Sequence, residues 1–157
     1  MRGRQAELLA LALSALFTVS LSGPVGAIDD QMLTKKVAET IAKVRTADTV
    51  TTRTKHAAKL VPLIAKIGPE KIDDGTISNL ISLLDAPDDS VRFYVAGALG
   101  ILGPRAKAAV PKLLQLLPAA DCLQGTLTSA DAIRQALTRM GVTPPPPAKC
   151  RTEDSGR

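Results

Sequence analysis

A stop signal recurs along the chain. Gly68-Pro69 and Gly103-Pro104 each close a stretch with apolar residues at helical spacing, and Gly141 closes a third, at intervals of 35 and 38 residues. Glycine turns left-handed without steric cost and proline cannot continue a helical hydrogen-bond ladder, so the pair ends a helix. Units of this length hold about two short helices. Neither helix can bury its apolar face alone, so the units have to stack on one another.

Residues 80–103 form the clearest unit. Leu80, Ile81, Leu83 and Leu84 share one helical stripe. Pro87 interrupts it, and Asp85, Asp88, Asp89 and Ser90 are the residue types that turn the chain and cap a helix N-terminus. A second helix opening near Ser90 carries Val91, Val95, Ala98, Leu99 and Leu102 inward. The same logic predicts helices over residues 29–46 (Leu33, Val37, Ile41 and Val44 inward) and 50–67, with Pro62 marking a kink or a later start. A loop is expected around residues 70–75. A helix is expected over residues 104–117, started or kinked at Pro111 and ended by Pro118. A last helix spans about residues 129–140, with Thr128 and Asp131 spaced as a capping box. The fold class is all-α. Aromatics make up only 2% of the chain against 45% hydrophobic residues, which suits aliphatic helix stacking and disfavours a β-sandwich.

The phrase Leu83-Leu84, an Asp/Pro-rich turn, Val91-Arg92, Ala98-Leu99-Gly100 and Leu102-Gly103 resembles the HEAT repeat, in the variant shared with bilin-lyase-like repeat proteins. The resemblance covers about residues 29–141 and implies a short α-solenoid of about three helix pairs. In that family an arginine often links neighbouring repeats. Here only Arg92 stands in that place, because Ser129-Ala130 occupy the register of Val91-Arg92 in the third unit. The resemblance also implies that the second helix of each pair faces the surface where partners dock. Arg92 is the only charge of the central helix after Ser90, and Phe93, Gly97 and Gly100 share a face away from its inward residues. The corresponding positions are Ala58, Pro62 and Ala65 in the first unit and Asp131, Gln135 and Thr138 in the third. Two readings follow. Arg92, Phe93, Gly97 and Gly100 line an apolar partner-binding groove with a polar rim, or the central helix is simply buried between its neighbours.

The domain of residues 28–142 is flanked by two unlike ends. Residues 1–27 read as a secretory signal peptide, with Arg2 and Arg4 ahead of a 14-residue apolar run (Leu8 to Leu21) and Val25-Gly26-Ala27 as the small-residue cleavage pattern, cut after Ala27. The alternative is a retained anchor, for which 14 residues fall short of the roughly 20 that a span needs. Export makes the location periplasmic or secreted. Residues 143–157 form a proline-rich tail whose four consecutive prolines favour an extended polyproline II segment. An oxidising compartment suits a Cys122–Cys150 disulfide that straps this tail across the last interhelix loop. Intermolecular pairing is the rival.

Charge is segregated. Lys35, Lys36, Lys43, Arg45, Arg53, Lys55, Lys59, Lys66 and Lys71 make the first unit a basic end, which fits an acidic partner, anionic lipid, a polyanionic glycan or an ordinary solvated face. The export signal and the lack of a stacking aromatic in this segment argue against nucleic acid. A single histidine and two distant cysteines give no metal-ligand spacing, and Asp85, Asp88 and Asp89 read as caps rather than a calcium loop. No catalytic motif and no cofactor motif is present. The expected function is an exported protein–protein interaction module. The alternatives are an accessory subunit of an envelope enzyme and, through the family resemblance, a bilin-binding protein.

Overall fold

A computed structural model describes residues 25–123, 125 and 128–150. Its regular structure is entirely helical: α1 (Val25–Thr46), α2 (Val50–Ala57), α3 (Leu60–Ile67), α4 (Asp74–Ser82), α5 (Asp89–Leu102), α6 (Val110–Asp121) and α7 (Ser129–Arg139), with 3₁₀ turns at Pro69–Lys71, Leu83–Asp85 and Gly103–Ala109. Most of the expected signal peptide, residues 1–24, lies outside the described residues. The backbone of Ala27 falls in the first turns of α1. No described helix is long and apolar enough to cross a membrane.

Helix α5 is the centre of the packing. It lies against α3 on one side and α7 on the other, while α1 packs on α2, α3 and α4, and α6 packs on α7. The core is aliphatic: Leu60, Ile64, Leu80, Leu84, Leu99, Leu113, Leu117, Ile133 and Leu137 are all fully buried. Burial of one such side chain contributes about 1.5–3 kcal/mol, so the stacked seams between helices carry the stability. Gly68 and Gly103 end α3 and α5 with φ of 93° and 55°, as their Gly-Pro pairs dictate.

The second segment breaks and restarts as α3 from Leu60, the later start expected of Pro62. Two other boundaries differ from the expectation. Helix α4 begins at Asp74, inside the stretch expected to be loop, because Asp73 caps it: its carboxylate accepts from Thr76 N–H at 2.8 Å and Thr76 Oγ1 at 2.7 Å. Pro111 starts α6, but Pro118 does not end it, and the helix continues to Asp121. Pro118 lacks the N–H that would donate to Leu114, and both residues are exposed. The unmatched carbonyl therefore faces solvent, where a helix-interior proline is least costly.

The acidic turn residues correct a second expectation. None of Asp85, Asp88 and Asp89 caps its own helix. Asp85 pairs with Lys112. Asp88 accepts from Arg53 Nε at 2.5 Å, beside a Thr54–Ser90 hydroxyl bond of 2.7 Å. Asp89 accepts from Ser129 N–H at 2.9 Å and Ser129 Oγ at 2.5 Å. The Thr128–Asp131 capping box is not made, since Thr128 has no side-chain cap bond and Asp89 supplies that cap from the preceding pair. Arg45 adds bonds to Asn79 Oδ1 (3.0 Å) and Ser82 Oγ (2.6 Å) between α1 and α4. Side chains of several types thus tie helices that are distant in sequence.

Cys122 and Cys150 form a disulfide, with Cα atoms 5.3 Å apart. The tail it anchors is held at two further points. Asp121 accepts from the Arg134 guanidinium at 2.7 and 2.8 Å and from Ala148 N–H at 2.9 Å, and Arg134 also donates to the Pro145 carbonyl. Burial of the Asp121 side chain, 7% exposed, opposes its ionisation. The Arg134 and Ala148 hydrogen bonds outweigh that and hold the carboxyl below the ordinary range.

Candidate partner-binding groove

Helices α5 and α7 present matching stripes. On α5 these are Phe93, Tyr94, Gly97 and Ile101, and on α7 they are Asp131, Ala132, Gln135 and Arg139, the same i, i+1, i+4, i+8 pattern. Ala58, Val61 and Pro62 complete the wall from the α3 side. Together they line an open groove of about 700 Å³, within the usual size range of binding clefts. Its floor is aliphatic and aromatic. Phe93 and Tyr94 are half-buried and meet edge to face, with centroids 5.1 Å apart. The polar rim is Asp131, Gln135 and Arg139, all on α7 and all exposed. Neither Asp131 nor Arg139 makes a salt bridge among the described residues.

Of the expected groove residues, Phe93 and Gly97 lie in it, as do Ala58, Pro62, Asp131 and Gln135 from the matching positions. Gly100 does not. It is buried against α7, where an added Cβ would sit 3.2 Å from Ala136 Cα. Gly100 is therefore the close-approach point of two helices rather than a surface residue. Arg92 is also displaced from the role expected of it. Its guanidinium donates to the Ala86 carbonyl at 2.8 Å and to Asp89 Oδ1 at 3.3 Å, bracing its own turn. Ala65 and Thr138 fall outside the lining. The stripe is rotated toward Tyr94 and Ile101 because α7 covers the Gly100 side of α5. The i, i+1, i+4, i+8 repeat shared by α5 and α7 is present in the residue order and is the signal that would have found Tyr94, Ile101 and Arg139.

A second cleft, of about 370 Å³, opens on the far side of Pro62. Lys36, Glu39, Thr40 and Lys43 of α1 face His56, Lys59, Leu63 and Lys66 of the α2–α3 segment across it. In the sequence, His56 reads as a surface helix residue and the lysines as part of a general basic end. The structure gathers them round one concavity. Among the described residues there is no cluster of side chains able to hold a metal ion.

No family model, no curated protein and no solved structure matches the chain.

Proposed function

We propose that this chain is an exported protein–protein interaction module of HEAT-like helix pairs, working as an adaptor or small scaffold that docks a partner segment in the groove between α3, α5 and α7. The observation that carries this reading is the groove itself. It places Phe93, Tyr94, Val61 and Ile101, each partly buried against the core, together at a concave surface. Contiguous accessible apolar surface with a polar rim is characteristic of contact sites. The disulfide and the basic, apolar, small-residue order of residues 1–27 support export to the periplasm or beyond.

The test is a crosslinking pull-down from envelope extracts with the native chain beside Phe93→Asp and Gly97→Leu variants of native helicity. One partner captured by the native chain and lost by both variants supports the reading. Equal capture by all three places binding elsewhere and removes it.

A further inference from the structure

We infer that the docked segment is an acidic–apolar peptide of a partner protein, lying across the second helices with its carboxylates in the lysine cleft between α1 and α3. This rests on the groove reading above and gives the bound segment a chemistry and a direction.

Three observations carry it. The first is continuity, since Pro62 lines both concavities, so a segment leaving the Phe93–Gly97 floor over α3 enters the lysine cleft directly. The second is charge. Lys36, Lys43, Lys59 and Lys66 are exposed, and none has a carboxylate within ion-pair distance among the described residues. Arg53 is engaged with Asp88, Lys71 with Asp30, and Arg45 with Asn79 and Ser82, while Lys35 and Lys55 are exposed outside the cleft. Glu39 is the single acidic residue of the cleft.

The third is spacing. Lys36 and Lys43 are seven residues apart, and so are Lys59 and Lys66. Seven residues are two helical turns, about 10 Å of rise, on one face. The short connection after Thr46 turns α2 and α3 back along α1, which sets the lysine pairs as two facing rows over Leu63 and Thr40. Two facing rows over a part-apolar floor fit a narrow chain with spaced carboxylates. At the opposite end the rim carries both Asp131 and Arg139 and has no net preference for an anion, so the acidic end belongs at α1.

The experiment is selection from a display library of random 12-residue peptides on the oxidised full chain. The comparison uses a variant with Lys36, Lys43, Lys59 and Lys66 all changed to Gln and a charge-reversed Lys59→Glu/Lys66→Glu variant. Circular dichroism checks each fold. Native protein is expected to enrich peptides that carry an apolar cluster followed by two or more acidic residues. On the Gln variant the acidic preference disappears, the apolar one stays, and a selected peptide binds at least tenfold more weakly, with a flatter salt dependence. On the reversed variant the charge preference inverts.

Enrichment of apolar residues without acidic ones leaves the groove reading standing and overturns this one. Acidic peptides without an apolar cluster overturn the shared segment. Failure to enrich any peptide overturns the proposal, and in that case lysine-dependent binding of phosphatidylglycerol vesicles or of heparin would assign the cleft to lipid or to glycan.

Discussion

Asp89 caps a helix that starts forty residues further along the chain: its two carboxylate oxygens take the N–H and the hydroxyl of Ser129, at 2.9 and 2.5 Å. Ser129 is fully buried. Asp89→Ala leaves two buried donors without an acceptor, and the expected loss is about 1–3 kcal/mol. Asp89→Asn keeps one acceptor and should lose less. Thermal unfolding of the three proteins gives the order. A variant Asp89→Ala as stable as the native chain would show that Ser129 finds its partner elsewhere.

Gly100 and Gly97, one helical turn apart on α5, predict opposite outcomes. A Cβ at Gly100 meets the backbone of Ala136 at 3.2 Å, whereas at Gly97 it meets Val61 Cγ2 at an ordinary 3.5 Å. Replacing a helix-interior glycine by alanine gains about 0.5–1 kcal/mol. Gly97→Ala should keep that gain. Gly100→Ala forces α7 away from α5, and overpacking of about 1–3 kcal/mol exceeds it. Urea midpoints should therefore move in opposite directions.

The Cys122–Cys150 bridge closes a separation of 28 residues. Constraining the unfolded chain over that loop is worth about 3.5 kcal/mol in the chain-entropy treatment. Changing both cysteines to Ser should lower stability by about 2–4 kcal/mol without changing the helical circular dichroism. Two free thiols in the native protein, found by mass spectrometry without reductant, would contradict the pairing.

Asp121 predicts an acid limb. Its carboxyl is held below the ordinary range by Arg134 and Ala148 against the opposing effect of burial. A carboxylate depressed on folding contributes stability that is fully present above its unfolded pKa of about 3.9 and is lost as pH falls through the lower folded value. Unfolding temperature should accordingly drop below about pH 4, the usual carboxylate range. Asp121→Asn should be less stable at neutral pH and show a shallower acid limb. Asp73, also lowered, by the Thr76 hydroxyl and N–H, should retain its share of the limb in that variant.

Legibility in the sequence followed the range of the interaction. The all-α class, the glycine-terminated ends of α3 and α5, and the inward residues Val37, Ile41, Leu80, Leu99 and Ile133 could all be read from spacing. Helical periodicity and glycine-proline chemistry act within one or two turns. The Cys122–Cys150 pairing was legible too, from the parity of two cysteines placed at the last interhelix loop and in the tail. Of the site, Phe93, Gly97, Ala58, Pro62, Asp131 and Gln135 were legible because register carries a position from one unit to the next.

What only the tertiary structure decided was where neighbouring pairs touch. Asp88 and Asp89 have the identity of caps, yet their carboxylates reach Arg53 and Ser129, because stacking brings those donors closer than the turn's own N–H groups. Gly100 has the right helical face for a groove, but α7 crosses α5 at that point, and the crossing depends on side-chain volume along both helices. Lys36, Lys43, Lys59 and Lys66 are scattered cations in the residue order. The turn after Thr46 folds them round one cleft, since two helices joined by a short connection must lie side by side.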